Sequence, residues 1–305
     1  MWKQRTGKAV LASSMKKRLE ALGHAIFYVT LSLAGLRGAY LLLGPVIFTY
    51  VACSRRIHRL TRPYVSRRFP DHGPLRRWWD TFLIMHAFGR VLVDRAWLGR
   101  KSDAAFQGVF EDDARLQDLV GQGRGLVLLT AHVGNWQSAL AQITELGVPI
   151  NSLMQYEQEA VAKHFFDLSG RECPFRIIRS DGFLGGMVES TAALQRGEVV
   201  TIMGDRYAGG PAAEVDFLGS PVRFPAAAYS LAAATGAPVA VLLTAKLDRY
   251  RYGLKVWDVF YPEGGARDRR RAALQKWTAR YAVCLENYVR RHPYQWYNFF
   301  DFWRQ

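Results

Sequence analysis

The chain has 305 residues, half of them hydrophobic, enough to bury a sizeable core as one large domain or two small ones. Its three cysteines, Cys53, Cys173 and Cys284, are far apart and form no C-x-x-C pair, which argues against a disulfide framework or a zinc site. The net charge is +15, and all of the excess sits in one place: residues 1–101 hold 19 Lys and Arg against 4 Asp and Glu, whereas residues 102–305 hold 22 of each.

Residues 1–24 are polar and basic, a tail or a first amphipathic helix. Ala25 to Cys53 then forms the most apolar stretch of the chain, with Arg37 as its only charge. About 20 apolar residues suffice to span a bilayer. An arginine near the centre costs about 2.5–3.5 kcal/mol on insertion, however, and Gly35, Gly38, Gly44 and Pro45 interrupt the run. The pattern favours helices that lie in the membrane interface or dip into one leaflet. Arg55, Arg56, Arg59, Arg62, Arg67 and Arg68 follow directly and can meet anionic headgroups. A basic region suits nucleic acid or anionic membrane. No nucleic-acid motif is present, and the apolar neighbour points to membrane. Residues 25–101 read as helical, punctuated by Pro63, Pro70 and Pro74. The segment Trp78 to Phe88 is apolar almost all round.

From about residue 102, strand and helix signals alternate. Apolar runs predict strands over 125–131, 149–155, 175–179, 198–203, 238–245 and 251–259. Helical periodicity falls on 112–120, 135–147, 157–169, 183–196, 225–235 and 266–291. Such alternation predicts an α/β fold, a mainly parallel sheet sandwiched by helices. The expected organisation is a membrane-associating helical region, 1–101, and an α/β domain, 102–305. Gly121, Gly123 and Gly125 precede a strand rather than follow one, so they are not a nucleotide-binding loop.

The most informative stretch is Leu126-Val127-Leu128-Leu129-Thr130-Ala131, followed by His132 and then Val133-Gly134-Asn135-Trp136-Gln137. A histidine where a buried strand turns into a helix lies where open α/β sheets collect their sites. Its reference pKa suits it to act as a general base. Gly134 lets the backbone turn tightly, and Asn135 can cap the helix. Residue 137 sits one turn in, within reach of the imidazole.

His132 to Gln137 resembles the H-x4-D/E motif of glycerolipid-type acyltransferases, most closely the H-x-G-N-W-E form of the bacterial lipid A biosynthesis (late) acyltransferases. Further stretches match in family order: Met203-Gly204-Asp205-Arg206, Val215 to Pro225, Leu231-Ala232, Thr235 to Val239, and His292-Pro293-Tyr294-Gln295-Trp296-Tyr297. The resemblance implies that His132 deprotonates an acceptor hydroxyl and that residue 137 orients it. It also implies an acyl-carrier protein or coenzyme A thioester as donor, a glycolipid or related amphiphile as acceptor, and the cytoplasmic face of the inner membrane as location. No metal or redox cofactor is implied.

The chain departs from the family at one position. A Gln137 carbonyl can hold the ring but cannot neutralise an imidazolium. Asp205, at the end of another predicted strand of the same sheet, is the candidate for the missing charge. Arg206 can bind a phosphate of donor or acceptor. Arg223 lies in a segment that in related acyltransferases helps form the acceptor site. Asn135 is read as a cap, and Trp136 as a wall of an acyl groove or as core. The alternative to an acyltransferase is a catalytically weak family member that only binds lipid, a reading supported by Gln137 alone.

Overall fold

Strands with apolar side chains on both faces set the architecture. In the structure, a computed structural model that describes residues 3–98, 106–136, 143, 146–154, 175–181, 183–207, 209–264 and 267–304, seven strands form one sheet. They are β1 (Gln107–Glu111), β2 (Leu126–Thr130), β3 (Ile150–Met154), β4 (Arg176–Arg179), β5 (Val199–Met203), β8 (Val239–Lys246) and β9 (Arg251–Phe260), in the spatial order β1-β9-β8-β2-β5-β3-β4. All neighbours are parallel except β8 and β9. Every residue of β8 is buried, as are the first four of β2. That is why these strands read as unbroken apolar runs rather than as alternating ones.

Helices cover both faces. Val127 and Leu129 of β2 pack with Tyr229 of α6 (Ala227–Thr235), Leu194 of α5 (Met187–Gln195), and Tyr281 and Leu285 of α7 (Arg267–Arg291). Leu126 and Leu128 face the other way, with Leu116 and Leu119 of α4 (Asp113–Gly121). The predicted mainly parallel α/β sheet is therefore present, and the six predicted strands are all found. Three more escaped the sequence pattern. β1 is a short edge strand, mostly exposed. β6 (Ala212–Phe217) and β7 (Ser220–Pro225) form a separate antiparallel hairpin. The helix predicted over 157–169, and most of the one over 135–147, lie outside the described residues.

The N-terminal part is helical as expected. α1 (Lys3–Cys53) bends at Gly35, whose φ of 63° and ψ of −163° no helix can hold. The helix continues through Gly38, Gly44 and Pro45. α2 (Arg55–Arg68) starts on a Ser54 cap, whose side chain accepts from Ile57 N–H. α3 (Pro74–Leu98) packs along α1, burying Leu31, Leu36, Ala39 and Leu43 against Val93. The outer face of α1 leaves Ile26, Val29, Leu33, Leu41 and Phe48 exposed. Its segment Ala25–Cys53 is long and apolar enough to cross a membrane. Tyr64 and Val65 of α2 and Ile84 of α3 join the main core of the sheet. Tyr64 also donates a hydrogen bond to Pro293 O at 2.6 Å.

Candidate active site

His132 follows the central strand β2, and the turn that carries it is tied down from several sides. Thr130 O accepts from Gly204 N–H and from the Tyr281 hydroxyl, both at 2.9 Å. Val133 pairs with Trp296 in an isolated antiparallel bridge, and Tyr297 N–H donates to His132 O at 2.8 Å. The Thr244 hydroxyl donates to Val133 O at 3.1 Å. Gly134 has a φ of 52°, and a Cβ there would lie 2.3 Å from Thr244 O. Only glycine fits both the angle and the space.

Asp205 reaches this turn from the end of β5, the strand beside β2. Its Oδ1 accepts from His132 Nδ1 at 2.8 Å. Its Oδ2 accepts from the His132 main-chain N–H at 3.0 Å and from the Trp296 indole N–H at 2.9 Å. The carboxylate is 1% exposed and the imidazole 14%. Burial by itself would raise the Asp205 carboxyl. The charge of His132, its hydrogen bond, the charge of Arg206 and the indole N–H together outweigh burial and bring it down to about 2. Asp205 is therefore an anion at neutral pH, and it holds the proton of His132 on Nδ1. Nε2 is then the ring nitrogen left without a proton.

The structure brings His132 and Asp205 together: the two predicted strands that carry them, expected in one sheet, are neighbours in it. Arg206, beside them, is half-buried. Its Nη2 donates to Tyr297 O at 3.2 Å, and its guanidinium lies over the Phe300 ring. Burial lowers its pKa while the Asp205 charge raises it. Part of its hydrogen-bonding capacity thus goes to the C-terminal segment. Asn135 is buried in the turn. Trp136, with Leu128, Thr130, Met203, Leu242 and Thr244, lines an apolar pocket of about 510 Å³, its open mouth included. Arg223 is elsewhere: it sits on the exposed face of the β6–β7 hairpin, opposite Glu214. Gln137 lies outside the described residues. Among the described residues no cluster of His, Cys, Asp and Glu is placed to hold a metal ion.

In the sequence, Gln295, Trp296 and Tyr297 carry a family resemblance but no role. Trp296 is buried at 1% exposure, with its ring edge-on to Tyr64, Phe217 and Phe302. It contributes the third donor to Asp205. An adjacent Gln and Trp near the end of the chain were the available signal, because a buried indole requires a partner for its N–H.

A histidine hydrogen-bonded to a buried carboxylate at the carboxyl ends of parallel strands is a geometry suited to proton transfer, found where α/β sheets gather their sites. The comparison with known families narrows this. Residues 84–305 match the bacterial lipid A biosynthesis acyltransferase family, so the chain belongs to that family and is an acyltransferase of the lipid A type. No curated protein matches the chain.

Proposed function

We propose that this protein moves a fatty acyl chain from an acyl thioester to a hydroxyl of a glycolipid or related amphiphile, with His132 as the general base and Asp205 as its counter-charge. The observation that carries the reading is the 2.8 Å hydrogen bond between His132 Nδ1 and the buried Asp205 carboxylate. It answers the difficulty raised by Gln137: an imidazolium formed during the reaction meets a negative charge whatever residue 137 does.

In the proposed reaction, Nε2 of His132 takes the proton of the acceptor hydroxyl as that oxygen attacks the thioester carbonyl. The tetrahedral intermediate collapses, the C–S bond breaks, and the departing thiolate receives the proton from the imidazolium. Asp205 stabilises the cation between these two steps and keeps the ring in the useful tautomer. No covalent enzyme intermediate is needed. The pocket beneath Trp136 suits the acyl chain, since it is lined mainly by apolar side chains. Arg206 keeps a positive charge beside the dyad and suits a phosphate of donor or acceptor.

The donor is an acyl-carrier protein or coenzyme A thioester. The site of action is the cytoplasmic face of the inner membrane. There the N-terminal region, residues 1–101, seats the protein and residues 102–305 carry the chemistry. The exposed apolar face of α1, followed by Arg55, Arg56, Arg59 and Arg62, all exposed on α2, supports this placement. The direct test is turnover of an acyl thioester by purified His132→Ala, expected to fall by about 10²–10⁴-fold with the fold intact. Retention of more than a tenth of wild-type turnover would exclude His132 as the base.

A further inference from the structure

We propose that a buried chain of polar contacts runs from α1 and α3 through Lys246 and Gln295 to the His132 turn, and that Asp94 and Lys246 act in it as positioning residues for the dyad. The inference rests on the proposed role of His132 and adds residues that lie outside the catalytic turn.

The chain begins at Asp94 in α3, which is fully buried. Its carboxylate accepts from the hydroxyls of Tyr40 on α1 and Tyr252 on β9, and pairs with Lys246 Nζ at 2.5 Å. Lys246 is itself only 8% exposed. Its amine also donates to Arg249 O at 3.1 Å. Burial raises the Asp94 carboxyl and lowers the Lys246 amine, each opposed by the charge of the other. Such a pair is a poor source of stability, because desolvating two charges offsets most of their attraction. What the pair provides is direction. It fixes Lys246, the last residue of β8, against helices of the N-terminal region.

From Lys246 the connection continues through main chain. Lys246 N–H donates to Gln295 Oε1 at 2.7 Å, and Gln295 Nε2 donates to Lys246 O at 2.9 Å. The Gln295 side chain thus completes the hydrogen bonding of the strand end, and the segment that follows inherits its position. Gln295 O accepts from Gly134 N–H at 3.2 Å. Trp296 then holds Asp205, and Tyr297 holds His132 O. Two residues before Lys246 on the same strand, Thr244 holds Val133 O. Every tie on the His132 turn from β8 and the C-terminal segment therefore passes within two residues of Lys246 or Gln295. Because a misplacement of 1 Å can cost about 10²-fold in rate, the seat of α1 and α3 sets the geometry of the dyad.

The test uses the full-length protein in detergent micelles, with two variants. Replacing the pair together, Asp94→Leu with Lys246→Met, removes the charges and keeps the volume. Tyr40→Phe removes one hydroxyl and keeps the ring. Stability is followed by denaturant unfolding, catalysis as kcat and KM separately, and the imidazole of His132 by NMR of histidine-labelled protein, with His132→Gln identifying its signals. The paired replacement leaves the Tyr40 and Tyr252 hydroxyls without their acceptor, so it is expected to unfold at lower denaturant than wild type while remaining folded in its absence, to lose about tenfold in kcat with KM little changed, and to shift the His132 imidazole signals. Tyr40→Phe should do the same to a smaller degree. Folded variants with wild-type kcat and wild-type His132 signals would overturn the proposal. Absence of turnover in the wild type would instead count against the proposed function, and the NMR comparison would still decide whether the contacts position His132.

Discussion

Replacing Asp205 with Asn keeps the volume of the side chain and removes its charge. The carboxylate accepts three hydrogen bonds, from His132 Nδ1, His132 N–H and the Trp296 indole. An amide has one oxygen for these three donors. If that oxygen takes the main-chain and indole N–H groups, the amide nitrogen faces Nδ1 and donates to it. The imidazole must then carry its proton on Nε2, where a base cannot accept another. The expected loss in kcat is about 10²–10⁴-fold.

A stability effect should accompany it. The carboxyl is depressed from 3.8 to about 2, a difference equivalent to about 2 kcal/mol. Because the folded-state value is the lower one, this stabilisation is present above about pH 4 and is lost as the pH falls toward about 2. The Asn variant should lack that step in acid unfolding and be less stable at neutral pH. The assays are thiol release from an acyl thioester and urea unfolding over the acid range. If Asp205→Asn keeps more than a tenth of wild-type kcat at neutral pH, Asp205 is not the counter-charge and the reasoning fails.

Gly134→Ala places a Cβ 2.3 Å from Thr244 O at a positive φ, so it should destabilise by about 1–3 kcal/mol or more and abolish turnover; a variant with wild-type unfolding would mean that the turn is not fixed as described. Met203→Trp narrows the pocket shared with Trp136 and Leu128 and should shift product profiles toward shorter acyl chains, read by mass spectrometry; an unchanged profile would place the chain elsewhere. Changing Arg55, Arg56, Arg59 and Arg62 to Gln should weaken binding to anionic vesicles by about 1 kcal/mol per residue and leave binding to neutral vesicles largely intact. Complete release of the wild-type protein by high salt would contradict apolar insertion by α1, because salt does not screen apolar burial.

The sheet was legible because its central strands are buried on both sides and so stand out as apolar runs. β1 and the β6–β7 hairpin were not, since exposed short strands carry alternating or mixed residues that also suit a loop. His132 was legible from its place after β2. Asp205 could be suspected from its place after β5, but its contact with the imidazole depends on the strand order β2-β5, which sequence periodicity does not encode. The roles of Trp296 and Gln295 depend on a segment some 160 residues from His132 folding back onto it. Asp94 and Lys246 carry no mark of a role in the sequence, where Asp94 stands beside Arg95 and Lys246 ends an apolar strand run. Nothing local says that such charges find each other.

The central claim is acyl transfer to a lipid hydroxyl that depends on His132. Mass spectrometry of lipids from a deletion strain, complemented with either the wild-type protein or His132→Ala, tests it most directly. Wild type should restore a lipid heavier than its precursor by one acyl chain, and His132→Ala should leave the precursor unacylated. Identical lipid profiles in the two complemented strains would contradict the account.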